Sequence, residues 1–83
     1  MVFEIRQIDA LLYDNEWIQN TSYKMGELKT NAANERKAFS HFLKKNGITF
    51  KKNRTRIEFD GDVYTIIDRK TKEPLFEAVP MYF

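Results

Sequence analysis

Eighty-three residues with a net charge of +2 leave room for one small domain. An apolar share of 42% with seven Phe excludes a disordered chain, and the lack of cysteine excludes disulfides, thiolate metal sites and Cys nucleophiles. No apolar run approaches the ~18 residues of a membrane span, Glu4 and Arg6 break any signal-peptide core, and the lack of cysteine is compatible with a cytosolic setting.

The charge is unevenly placed along the chain. Residues 1–22 sum to −3, residues 23–56 to +8 and residues 57–83 to −3. A basic middle between acidic ends makes a dipolar molecule unless the fold interleaves the segments.

Val2 to about Ile8 alternates like a strand, with Phe3 and Ile5 on one face and Glu4 and Arg6 on the other. Ala10-Leu11-Leu12-Tyr13 prolongs the apolar run without declaring its state, and Asp14-Asn15 is a turn signal. Trp17 to about Tyr23 reads as a second strand with Trp17, Gln19, Thr21 and Tyr23 on one side. Gly26 breaks or bulges the chain before a short Glu27–Lys29 extension.

A helix follows, from about Asn31 to Asn46. Asn31 can cap an orphan backbone N–H, and Asn46-Gly47 supplies the left-handed stop. At 100° per residue, Ala32, Glu35, Phe39, Phe42, Leu43 and Asn46 share a docking face. Lys37, His41, Lys44 and Lys45 share the opposite, wet face, the last two matching the negative end of the helix dipole.

Beyond Gly47 the period changes to two. Ile48-Thr49-Phe50 is expected as a short strand leading into Lys51-Lys52-Asn53-Arg54. Asp60-Gly61 marks a hairpin between Thr55–Phe59 and Asp62–Ile67. A two-residue turn pairs Phe59 with Asp62 and Ile57 with Tyr64, giving a face of Ile57, Phe59, Tyr64 and Ile66. A three-residue loop sets Val63 and Ile67 beside Ile57 and Phe59 instead, and both registers fit. Pro74 opens a last strand, Leu75–Val79, which Pro80 places at a sheet edge or ends. The expected fold class is α+β, an antiparallel sheet with a single α-helix packed across it, in one domain over residues 1–83.

Enzyme chemistry finds little support. His41 is the lone histidine and shares its helix face with lysines, and neither serine has a base arranged as a triad requires. Asp60-Gly61-Asp62 lacks the further oxygens a hard cation needs, so no catalytic residue, metal or cofactor is expected. Two interaction sets remain. Lys37, His41, Lys44, Lys45, Lys51, Lys52, Arg54 and Arg56 can track phosphates without demanding precise geometry, or serve as an ordinary solvated face. Tyr13, Trp17 and Tyr23 either fill the core or present rings to a protein partner.

The runs Ala38-Phe39-Ser40-His41-Phe42-Leu43-Lys44-Lys45-Asn46-Gly47-Ile48 and Phe59-Asp60-Gly61-Asp62-Val63-Tyr64, with Glu73-Pro74-Leu75-Phe76 and Glu16-Trp17, carry a resemblance. They resemble small uncharacterised proteins of phages and of integrative or conjugative elements of Gram-positive bacteria. The shared motifs are a helix stop, a hairpin turn and a strand start, so they carry fold and no site residues. The resemblance implies an accessory role in the bacterial cytoplasm, by contact with a host or element-encoded protein or, alternatively, with nucleic acid. The expected state is a monomer or weak dimer, with no membrane partner.

Overall fold

Asp14 and Asn15 both sit at positive φ, 51° and 63°. That paired left-handed conformation matches the twist of antiparallel strands, and Asp and Asn tolerate it better than most residues. A computed structural model, describing residues 1–82, shows long strands on either side of this turn. β1 spans Val2–Tyr13 and β2 spans Glu16–Lys29, so Ala10–Tyr13 belongs to the first strand. Their register shifts twice, leaving Met25 and Asn20 as the extra residues of two bulges. They decide one expectation and correct another. Of the break or bulge expected at Gly26, the chain makes the bulge, beside it, and Glu27–Lys29 continue β2. Trp17 and Gln19 face the opposite side from Thr21 and Tyr23, because the unpaired Asn20 inverts the alternation.

The helix begins later than its first Asn suggests. Asn31-Ala32-Ala33-Asn34 closes a tight turn, Asn34 N–H donating to the Asn31 carbonyl at 3.2 Å, and neither Asn side chain caps a helix N–H. α1 runs Glu35–Lys45. Its stop is as expected. Gly47 has φ 79°, its N–H donates to Lys44 O at 3.1 Å and the Ile48 N–H to Leu43 O at 2.9 Å.

Three strands complete the sheet: β3 Thr55–Asp60, β4 Val63–Asp68 and β5 Pro74–Pro80. The order is β2-β1-β5-β4-β3 with every neighbouring pair antiparallel, and α1 packs against one face. This is the expected α+β architecture. The radius of gyration is 12.6 Å, against about 12 Å for a compact chain of this length. One open expectation is decided and another corrected. Of the two roles offered for Pro80, it ends β5, which is a central strand with its two prolines at its ends; β2 and β3 are the edges. Ile48-Thr49-Phe50 forms no strand, because the Ile48 N–H closes the helix and Phe50 packs edge-on against Phe76, with ring centroids 6.0 Å apart.

The β3–β4 loop has two residues, shifted by one from Asp60-Gly61 to Gly61-Asp62, with Gly61 at φ 66°. Phe59 pairs with Tyr64 and Ile57 with Ile66. A partner shift of two residues keeps the parity, so the face of Ile57, Phe59, Tyr64 and Ile66 is the one that turns towards α1.

The core lies between that face and the helix. Phe3, Ile5, Ile66, Phe76 and Ala78 form its floor, and Phe39 and Leu43, each 1% exposed, form its roof. Phe42 is half-buried over Gly26, where a Cβ would come within 3.1 Å of its ring. Hydrogen is therefore the side chain that lets α1 settle onto β2. The Tyr64 hydroxyl donates to Glu35 at 2.7 Å, and Arg36 lies over the same ring, 5.6 Å from its centroid, which fixes the start of the helix to β4. Phe39→Ala is expected to lower the unfolding free energy by about 3–5 kcal/mol, measured by urea titration, and the half-buried Phe42→Ala to cost less.

Candidate functional site

The basic residues divide into free and tethered groups. On α1, Lys37, His41, Lys44 and Lys45 are all exposed, and Lys51 and Lys52 are exposed in the following loop. None of these six takes part in the ion pairs among the described residues. Arg54 donates its Nε to Asp68 at 2.7 Å, and Arg56 reaches Glu58 at 2.6 Å. Residues 36–56 hold eight Lys and Arg and no acid. Two acids of the β1–β2 hairpin, Glu4 and Glu27, lie on the face turned away from α1, paired with Arg6 and Lys24.

Between α1 and the loop the surface is indented. A cavity of about 270 Å³ is lined by Ser40, Leu43, Ile48, Phe50, Arg56 and Ile66 among others. A neighbouring one of about 370 Å³ adds Lys44, Thr49 and Lys51. Ser40, Ile48, Phe50 and Thr55 line both, so the two make one trough, and no acidic residue lines it. Phe50 is its aromatic wall, with 37% of the residue exposed. Sequence reasoning missed Phe50 as a surface ring by reading it as a strand residue. The available signal was its place between Gly47, which turns the chain out of the helix, and two adjacent lysines.

Asp68, also missed, holds this loop in place. Its Oδ1 accepts the Lys70 and Thr71 N–H groups at 2.8 and 3.0 Å, and its Oδ2 accepts Arg54. The Arg69 N–H donates to Arg54 O at 2.8 Å. An Asp followed by polar residues at a strand end is an Asx-turn signal, which was its mark in the sequence. The Thr71 N–H, followed by Arg54, favours the charged carboxylate and holds the Asp68 pKa down to about 2.

The aromatic set divides as well. β1 pairs with β5 only over Phe3–Gln7, so from Ile8 outwards β1 and β2 form a two-stranded arm. Trp17 is half-buried, its indole N–H donating to Thr71 O at 2.8 Å, which pins the arm to the β4–β5 turn. Tyr13 and Tyr23 are 71% and 59% exposed. The register puts them on one face of the arm with Leu11 and Ile18, a cross-strand pair 57% and 50% exposed. The structure thus separates Trp17 from the two tyrosines and adds Leu11 and Ile18 to them.

The Asp62 carboxylate receives the Tyr82 hydroxyl. Among the described residues no three His, Asp or Glu side chains gather as a metal site would require, and no helix is long and apolar enough to cross a membrane. Comparison with models of protein families, with curated proteins and with solved structures finds no match.

The Asp68 cluster makes stability depend on acid in a defined window. A carboxylate whose pKa is lower folded than unfolded stabilises the fold above the unfolded value, near 3.9, and that contribution is lost as pH falls through the folded value of about 2. The melting temperature of the parent is expected to fall between about pH 4 and 2, and that of Asp68→Asn to fall less over the same range.

Proposed function

We propose that the protein is a non-enzymatic accessory protein of a bacterial mobile element that docks a host or element-encoded protein through the β1–β2 arm. One observation carries the reading: Leu11, Tyr13, Ile18 and Tyr23 share a face of the arm and are each at least half exposed. Clustered apolar side chains left in water mark a contact surface when a polar rim surrounds them. Gln7, Asp9, Glu16 and Thr21 supply that rim on the same face. The origin in a mobile element and the cytoplasmic setting come from the sequence resemblance alone. No paired carboxylates, nucleophile or metal cluster enters the reading.

A second reading has its own observation, the unbroken run of cations from Arg36 to Arg56. Lys37, Lys44, Lys45, Lys51 and Lys52 then track nucleic-acid phosphates without sequence preference, and Arg54 and Arg56 contribute less because acids already hold them.

Affinity capture from a Gram-positive bacterial lysate distinguishes the arm from the rest of the surface. The double change Leu11→Asp, Ile18→Asp is expected to abolish capture of the proteins retained by the parent. Opposed aspartates also repel across the ladder, so Leu11→Thr, Ile18→Thr, which keeps strand-forming residues, is the companion expected to weaken capture with little change in melting temperature. Retention of the same proteins by parent and variant contradicts docking through the arm.

A further inference from the structure

We infer that the trough between α1 and the 48–54 loop binds single-stranded nucleic acid, with a base against Phe50 and the flanking phosphates against Lys44 and Lys51. This rests on the second reading above and narrows it from any phosphate backbone to an unpaired strand.

Three features of the trough converge on that ligand. Its wall is an aromatic ring partly open to solvent, and every unpaired base offers a face to such a ring. Lys44 and Lys51 line the same depression as Phe50, with Lys52 next in the chain, so cations and ring act on one segment of a strand. Ser40, Thr49 and Thr55 bring hydroxyls that donate to or accept from a base edge. The complementarity is one-sided, since among the described residues no lining residue is acidic and none of the three lysines takes part in an ion pair.

Duplex DNA meets only half of this arrangement. Its phosphates can approach the lysines, but its bases are already stacked and cannot reach a ring set inside a trough. An acidic peptide likewise uses the cations and leaves Phe50 without a partner. The ring therefore separates the ligands, and the loop that carries it is braced by Asp68 through Arg54, with the Arg54 N–H also donating to Lys51 O at 3.0 Å.

Fluorescence anisotropy of the whole protein tests the assignment. The probes are labelled oligodeoxythymidine and oligouridine about twelve nucleotides long, a duplex of that length and a poly-glutamate peptide. Oligodeoxythymidine or oligouridine is expected to bind more tightly than the duplex, the tighter of the two naming the preferred sugar. About three phosphate contacts give a log–log salt slope of roughly −2 between about 50 and 200 mM salt, and Lys51→Glu should reduce it by about 0.7. Phe50→Leu keeps an apolar side chain against Phe76, so its fold can be checked by melting temperature. It should weaken single-strand binding at least about fivefold, leaving the salt slope and duplex binding unchanged. Single-strand binding that ignores Phe50→Leu, or poly-glutamate binding as tightly with the same Phe50 dependence, overturns the assignment. Duplex binding as tight as single-strand binding, with neither weakened by Phe50→Leu, overturns it but leaves the phosphate-tracking reading standing. No binding to any oligonucleotide at about 50 mM salt ends both.

Discussion

One short helix has to cover a sheet whose first two strands outrun it. Eleven helical residues reach about 16 Å, whereas the twelve residues of β1 extend about 40 Å. Phe39 and Leu43 therefore seal only the part of the floor around Phe3, Ile5, Ile66, Phe76 and Ala78. Gly26 sets how closely that seal forms, because a side chain there would crowd the Phe42 ring. What lies beyond the helix has to stand as a two-stranded arm. Such a hairpin is marginal alone, and this one is held by its Asp14-Asn15 turn, by the Trp17–Thr71 bond and by continuity with the sheet.

The same geometry sorts the charge. After Gly47 the chain must travel from the helix end to the far edge strand β3, and it does so through the cationic 48–54 loop. Asp68, at the end of β4, receives the loop through Arg54 and leaves Lys51 and Lys52 in solvent. The arm is the converse. Residues 7–23 hold Asp9, Asp14 and Glu16 and no Lys or Arg. An apolar, acidic arm and a basic, aromatic-walled trough are thus distinct surfaces of opposite charge on one small domain.

Much of this was readable in the residues. The helix faces, the Asn46-Gly47 stop and both hairpins follow from local rules, because capping, turn chemistry and periodicity act within a few residues. The reversal of Trp17 relative to Tyr23 depends on a bulge at Asn20, and no side chain advertises an extra residue in a ladder. The central place of β5 is a property of the whole sheet, and Pro80 signalled only where the strand ends. Lys37 and Lys44 were visible as a wet face, but the trough was not. It needs Phe50 brought beside Ser40 and Thr55, and it exists because Ile48 spends its N–H on the helix. Arg54 and Arg56 looked equivalent to the lysines until the fold set Asp68 and Glu58 beside them.

Amide hydrogen exchange followed residue by residue in β1 tests most directly whether the helix seals only one end of the hairpin. The hydrogen-bonded amides of Phe3–Gln7, paired on both sides, should exchange only through global unfolding. Those of Leu11–Tyr13 should exchange faster by roughly two orders of magnitude or more, through local opening of the arm. Uniform protection from Phe3 to Tyr13 would contradict the account, because the arm would then belong to the same cooperative unit as the core.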